Sequence, residues 1–272
     1  MKILISGNQM SDFTGQPMST YETARVLSKD HDVTVVCGQG GWNGNELEQN
    51  LKQLGVKCQY TWDPEYDLVI ASEFCPDVKG YKIQTVRGIT EWESPIPGMD
   101  FYSCIRPDVQ EHIITEHGIP AEKTKVIYNG VDRDRFKPRQ KTPRYYTRIV
   151  APCTVDKLRR NWLEYLVSIS THQRQLVIYA PRVDYQLPKN PFVTIEKPRF
   201  NMEHIIADAD VVVGIYLGRV NLEAYACGVP SIMYDPFTLD AVGFSPTPAE
   251  FEERHNINNV VKNILKIYEN RN

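Results

Sequence analysis

Between Asp210 and Tyr234 the chain reads DVVVGIYLGRVNLEAYACGVPSIMY, and this stretch leaves few folds open. A β-branched run, Val211 to Val213, stops at Gly214. A loop carrying Gly218 leads into helix formers from Asn221 to Cys227. Gly228-Val-Pro230 stops these, and Ser231 to Tyr234 reads as a second buried strand. Strand, loop, short helix and strand make a βαβ unit, whose crossover obliges the two strands to lie parallel. A helix starting at the carboxyl end of such a strand offers free N–H groups and a partial positive charge, so it is a seat for an anion. Gly218 lets a phosphate close on that backbone with no side chain between. Glu223 lies about a turn further in, within reach of sugar hydroxyls. Taken without its surroundings, it reads equally well as a carboxylate that caps or solvates a helix.

The flanking chain repeats the pattern. Lys2 to Ser6 is a short buried strand, followed by a polar, glycine-containing loop from Gly7 to Pro17. Ser19-Thr-Tyr-Glu22 has the form of a capping box, with Tyr21, Ala24 and Leu27 on the inner face of the helix it would start. Asp32 to Cys37 is the second strand, Asn45 to Leu54 a helix ended by Gly55, and Asp67–Ala71 and Lys82–Val86 further strands of one sheet. No GxGxxG is present, which leaves a dinucleotide-binding reading weak. Arg87-Gly-Ile-Thr-Glu-Trp-Glu93 leaves the last of these strands at its carboxyl end. Glu91 and Glu93 flank Trp92, a mixture that grips a sugar or forms an ordinary surface loop. A helix from Arg106 to His117 carries Pro107 in its first turn and is stopped by Gly118 and Pro120.

From Phe136 to Arg148 the composition shifts to FKPRQKTPRYYTR, with two prolines and no acids, and a domain boundary is expected after residue 138. The basic run reads as a solvated linker, or as a source of positive potential for an anionic ligand. Beyond it come strands at Arg148–Pro152, Leu176–Ala180 and Phe192–Glu196, and helices at Trp162–Ile169 and Met202–Ala207. A capping box at Thr247-Pro-Ala-Glu250 follows, then a stripe of Ile257, Val260, Val261, Ile264, Leu265 and Tyr268 at helical spacing, which reads as core. The net charge of −3 argues against a general nucleic-acid binder. No stretch is long and apolar enough to cross a bilayer, and the start MKILISGNQ has no signal-peptide core. The cysteines at 37, 58, 75, 104, 153 and 227 are scattered, with no CxxC pair, and the histidines show no ligand spacing. They point to reduced core residues, a cytoplasmic setting and no tight metal site.

At Gly218, Leu222, Glu223, Ala224, Ala226, Gly228 and Pro230 the stretch resembles the signature of the retaining GT-B glycosyltransferases of the family 4 type (glycosyl transferases group 1). That signature runs acidic residue, Gly, aromatic, Gly, apolar, two free positions, Leu-Glu-Ala, then Gly-x-Pro. Lys125-Val-Ile-Tyr-Asn-Gly-Val-Asp132 with Arg135-Phe136 resembles the same family's end-of-domain strand and turn. The resemblance covers most of the chain and is strongest over 126–136 and 205–234. It implies an α/β, GT-B fold: two Rossmann-like domains with parallel sheets facing across a cleft. Residues 1–138 would form the acceptor-side domain and 139–272 the nucleotide-sugar domain, with the last helix packing back on the first.

The implied reaction moves a sugar from a nucleotide-diphosphate sugar, a UDP-sugar such as UDP-glucose, to a hydroxyl of a glycan, lipid, protein or modified nucleobase. The anomeric configuration would be retained, with no metal and no prosthetic group. The resemblance assigns Glu223 to the donor ribose. It adds Gly15, Lys197, Arg199, Gly218, Arg219 and Val220 to the donor contacts and Lys157 to the leaving diphosphate, with Arg160 nearby as a compensating charge. Arg87 stands near the point where many relatives carry a His, with Glu91 close by in sequence. The chain departs from the family at Ile215, which replaces the first acid of the signature, and at Pro152, which replaces the Arg that precedes Lys157 by five, among other places. These departures favour a non-catalytic nucleotide-sugar or glycan-binding module as one alternative. A UDP-sugar 2-epimerase is the other, although its extra carboxylates and histidines are represented only by Glu91 and Glu93.

Overall fold

The computed structural model describes every residue except 8, 9, 11, 39, 40, 43–45 and 272, and the side chain at 92. The start of the expected helix at Asn45 and the stacking role of Trp92 therefore lie outside the described residues. Contacts divide the chain into two compact units, Met1–Gly130 with Ala249–Asn272, and Val131–Pro248.

The first unit is built on a parallel sheet that has seven strands among the described residues. They are β1 (Lys2–Gly7), β2 (Asp32–Cys37), β3 (Lys57–Gln59), β4 (Glu65–Ala71), β5 (Lys79–Val86), β6 (Phe101–Cys104) and β7 (Thr124–Val126), in the order β3-β2-β1-β4-β5-β6-β7. Their apolar runs are continuous because helices cover both faces of such a sheet; Ile3, Leu4, Val35, Leu68, Val69 and Ile83 are fully buried. Three further helices pack here, α1 (Gly15–Leu27), α2 (Glu46–Gln53) and α3 (Pro107–Thr115). The strand at Phe101–Cys104, too short to show alternation, escapes a reading of sequence pattern.

The capping box at Ser19–Glu22 does not start α1. The helix begins five residues earlier, with extended Thr14 as its N-cap, held by Asp12, whose Oδ1 accepts from the Thr14 N–H at 3.0 Å. Ser19 and Glu22 lie inside the helix, and Pro17 sits in its first turn, where no intrahelical N–H bond is due. Tyr21, Ala24 and Leu27 do face the core.

The second unit carries β8 (Thr147–Pro152), β9 (Arg174–Tyr179), β10 (Val193–Glu196), β11 (Val211–Ile215), β12 (Ser231–Tyr234) and β13 (Ala241–Gly243) in the order β10-β9-β8-β11-β12-β13. All pairs are parallel except β12 with β13. Its helices are α4 (Arg160–Ser168), α5 (Met202–Ala207) and α6 (Arg219–Ala226). Trp162, Leu163, Leu166, Ile178, Val213 and Tyr234 form its main core.

The first half of the basic run, residues 137–143, is exposed as a solvated linker would be, but the two arginines nearest β8 are held at the amino end of this sheet. Arg144 pairs with Asp208 at 2.6 Å and Arg148 with the same carboxylate at 2.6 Å. Asp210 Oδ2 accepts from the Arg148 N–H at 2.8 Å. Arg148 and Asp210 stand at the amino starts of β8 and β11, so these cations are spent on joining the entering chain to the wrong end of the sheet for an anion seat. Arg135 is similarly occupied, donating to Phe200 O at 2.7 Å and to Glu203 at 2.9 Å, with its guanidinium over the Phe200 ring. Phe136 and Arg135 thus belong to the second unit, and the chain changes unit at Gly130, upstream of the composition shift.

After α7 (Pro248–His255), α8 (Ile257–Glu269) belongs with the first unit and packs on α1. Its buried face is Ile257, Val260, Val261, Ile264 and Ile267, with Leu265 and Tyr268 only half-buried. The Asn129-Gly130 turn is where α8 arrives: His255 Nδ1 lies 3.0 Å from Asn129 O. A Cβ on Gly130 would stand 2.8 Å from Ile257 Cδ1 and 2.9 Å from its Cα. The glycine is required by close approach. Gly130→Ala is expected to cost about 1–3 kcal/mol through overpacking against backbone, read as a thermal midpoint several degrees lower. An unchanged midpoint would show that the start of α8 shifts freely.

Candidate active site

In both sheets the strand order reverses direction at one place. The first unit runs outward from β1 to β2 and β3 on one side and from β4 onward on the other; the second reverses between β8 and β11. Loops leaving neighbouring strands at such a switch point diverge to opposite faces and open a crevice at the carboxyl ends, where ligands bind. Of the expected site residues, Lys157, Arg160, Gly218, Arg219, Val220 and Glu223 follow the two switch-point strands β8 and β11, and Gly15 follows β1, whereas Arg87 and Glu91 follow β5 and Lys197 and Arg199 follow β10.

In the second unit, β11 ends at Ile215, and Gly218 caps α6 from an extended conformation. The Gly218 N–H donates to Asn221 Oδ1 at 3.2 Å, and Asn221, fully buried, donates to Ser231 Oγ at 2.6 Å. This side chain ties the start of the helix to β12. Gly214 permits the close packing, since a Cβ there would meet Val220 Cγ1 at 3.1 Å. Asn221, Arg219 and Val220 form the first turn, so α6 starts two residues before the helix expected from Asn221. The N–H groups of Arg219 and Val220 lie where helix geometry supplies no intrahelical acceptor. Glu223 is 8% exposed and accepts from Arg219 Nε at 2.6 Å. It is neither a cap nor a solvated carboxylate but half of a buried ion pair within α6.

Lys157 follows β8, the strand across the switch point, and is exposed. The two arginines beside it are engaged: Arg159 with Asp156, and Arg160 with Glu164 at 2.8 Å, lying over the Tyr185 ring. Of this basic trio, Lys157 is the cation not drawn to a neighbouring acid. Cys153 follows Pro152, and burial pushes its thiol up to about 12, which keeps it from serving as a nucleophile. Lys197 and Arg199 follow β10, two strands from β8. Lys197 is exposed and Arg199 pairs at the surface with Glu196 at 3.1 Å. The switch point thus brings Lys157 and the Gly218–Glu223 turn onto adjacent strands, with the Lys197 loop at the sheet edge. Ile215, in the acid's place, packs against the core.

In the first unit, Gly15 opens α1 with open space where a Cβ would stand, so nothing within the described residues demands a glycine there. Arg87 leaves β5 and donates to Ser19 Oγ at 3.2 Å and reaches Ser72 Oγ at 3.5 Å. It lines a small cavity of about 30 Å³ with hydroxyls of Thr20, Thr23 and Ser103. Glu91 is exposed on a short 3₁₀ turn, Glu91–Glu93. The carboxylate that turns inward is Glu93, which accepts from Thr90 Oγ1 at 2.5 Å and would lie 2.1 Å from a Cβ at Gly88.

Sequence reasoning passed over Ser19 and Ser72, which position Arg87, and Asn221, which anchors α6. It also missed Tyr216, a non-glycine residue with φ +49°. Only Asn221 carried a signal, an amide three residues after a capping glycine. Among the described residues no group of three His, Cys, Asp or Glu is placed to hold a metal ion, and no helix is long and apolar enough to cross a membrane.

Two Rossmann-like bodies of parallel sheet, each with its loops at a switch point, make this an α/β protein of the GT-B fold class. Solved glycosyltransferases share it. The UDP-glucose complex of Anabaena Alr3699/HepE superposes with a TM-score of 0.73 at 14% identity, covering 99% of each chain. A glycosyltransferase from Rickettsia africae gives 0.68 at 13%, covering 99% of this chain and 98% of that one. The apo lipopolysaccharide outer core galactosyltransferase WaaB gives 0.56 at 14%, covering 100% and 94%. At these identities the likeness is one of fold. The sequence matches no protein-family model and no curated protein.

Proposed function

We propose that this chain is a retaining glycosyltransferase that moves a sugar from a UDP-sugar, of which UDP-glucose is the type, to an acceptor hydroxyl without a metal. The observation that carries the proposal is the α6 turn: a switch-point helix start, where helix geometry leaves first-turn N–H groups without intrahelical acceptors, with a buried carboxylate one turn further in. The donor diphosphate takes the first turn, and Glu223, held in place by Arg219, accepts from the ribose hydroxyls. Lys157 meets the negative charge that grows on the diphosphate as its bond to the anomeric carbon breaks. An acceptor oxygen bonds to that carbon and passes its proton to the departing diphosphate oxygen. Charge stabilisation of this kind is worth most where water is excluded. Arg160 can join after release from its exposed pair with Glu164, which solvent screens. Gly15, Arg87 and Glu91 are assigned to the first unit's part in binding, and Lys197 and Arg199 to the nucleotide base. The UDP-glucose, UDP and UDP-plus-glucose complexes of Alr3699/HepE, a protein of the same fold, support the choice of donor. Retention follows the family that the Gly218–Pro230 signature resembles.

A panel of radiolabelled nucleotide-sugars tests this. Free UDP and a labelled acceptor or sugar are expected. An isomerised donor would indicate an epimerase, and binding without turnover would indicate a module, as the losses at Ile215 and Pro152 favour. Turnover is also expected to persist in excess EDTA, because Lys157 and the helix start supply the positive charge. Complete loss restored by magnesium or manganese would contradict it.

A further inference from the structure

Where α8 lies against the end of α1, the two helices enclose a cavity of about 220 Å³. His31 directly precedes the amino start of β2, so this cavity is set apart from the loops at the carboxyl ends of the strands. Leu27 and Val261, both buried, and the half-buried Val26 and Leu265 give it an apolar floor. Around the floor stand acids and bases: Asp30 and half-buried His31 from the α1 side, and Lys262, Lys266 and Glu269 from α8. None of the four charged side chains is engaged in an ion pair or a side-chain hydrogen bond among the described residues. Lys262 and Lys266 are like charges one turn apart, an arrangement that by itself weakens a helix. His31 Nδ1 is closed off from solvent and has no hydrogen-bond partner, an unfavourable state for a buried polar atom.

The walls define what the cavity can hold. At about 30 Å³ per water in the liquid, its volume matches about seven water molecules, which suits a small molecule and is too little for a peptide or a polymer. The floor asks for a hydrocarbon group. The charges ask for both an anionic group, to meet Lys262 and Lys266, and a cationic one, to meet Asp30 and Glu269. An anion alone would face the two acids, and a cation alone the two lysines. We infer that this cavity binds a small zwitterion with a hydrocarbon side chain, the chemistry of an apolar α-amino acid. Its carboxylate lies on the two lysines, its ammonium on the two acids and its side chain on the floor. Bonds between charged partners are the strong ones, and a ligand touching both helices holds α8 against α1. The site is independent of the UDP-sugar reading above.

Calorimetric titration of leucine into the intact chain tests this, beside three relatives that each lack one group. These are 3-methylbutylamine without the carboxylate, 4-methylpentanoate without the ammonium, and glycine without the side chain. Leucine is expected to bind, and each of the others at least about tenfold more weakly. Lys262→Ala combined with Lys266→Ala is expected to lower leucine affinity about tenfold or more. Both lysines are exposed, so the double variant should unfold near the wild-type temperature. Leucine should raise the thermal midpoint of the wild type and leave that of the double variant unchanged. No leucine binding, equal affinity for all four compounds, or full leucine affinity in the double variant overturns the site. UDP affinity is expected to be the same in the double variant as in the wild type, so this failure is separate from a failure of the donor reading.

Discussion

Glu223→Ala is expected to weaken UDP-sugar binding by about 1.5–3 kcal/mol, roughly ten- to over a hundredfold, the range for hydrogen bonds to a charged group. The same change should cost stability. Glu223 and Arg219 are both largely buried, and their contact is 2.6 Å. Removing one partner of a buried pair leaves the other charge behind, a penalty of about 3–5 kcal/mol. Two effects of one substitution must be told apart, and Glu223→Gln does so. It retains an acceptor oxygen and the side-chain volume, so it should fold more stably than the alanine variant while still binding donor less well than the carboxylate. Thermal melts and calorimetry on both variants supply the check. Wild-type donor affinity in Glu223→Gln and Glu223→Ala alike would place the ribose elsewhere.

Lys157→Ala is expected to lower turnover about a hundredfold or more, with a smaller effect for Arg160→Ala. Removing one comparable charge-stabilising donor costs about 2.7–4 kcal/mol in other active sites. The distribution between the two residues follows from their surroundings. Lys157 is exposed at the loop leaving β8, whereas Arg160 is held by Glu164 and Tyr185. Pro152 removes the arginine that relatives place five residues earlier, so a single lysine would carry most of the charge. Steady-state kinetics separate the outcomes. A near-wild-type rate and donor affinity in Lys157→Ala would make it a surface charge.

Much of this architecture is legible in the chain because its signals are local. The runs Lys2–Ser6, Asp32–Cys37 and Val211–Val213 are apolar throughout, as strands buried on both faces must be. Gly55, Gly118 and Gly228 mark stops with positive φ. What failed was local form without its distant partner. Ser19 and Glu22 match a capping box, but Ser19 serves Arg87, 68 residues on. Arg144 and Arg148 look like solvated charge until Asp208 and Asp210 arrive from beyond residue 200. The stripe on α8 announces a buried face, but not that the first unit's α1 would bury it. At the candidate site, Gly218 and Glu223 were visible because helix start and spacing are sequence properties. The pairing with Arg219 follows the same i,i+4 spacing, yet its burial depends on the packing of α6. The conformation of Tyr216 is set by Tyr234 and Gly218 and has no signature of its own.

Hydrogen–deuterium exchange with and without UDP tests the central claim most directly, since it asks where the donor diphosphate sits. UDP is expected to slow exchange in the turn from Ile215 to Glu223 and in the loop from Cys153 to Arg160, at the carboxyl ends of β11 and β8. Protection confined to other segments, with these two unchanged at saturating UDP, would contradict the account.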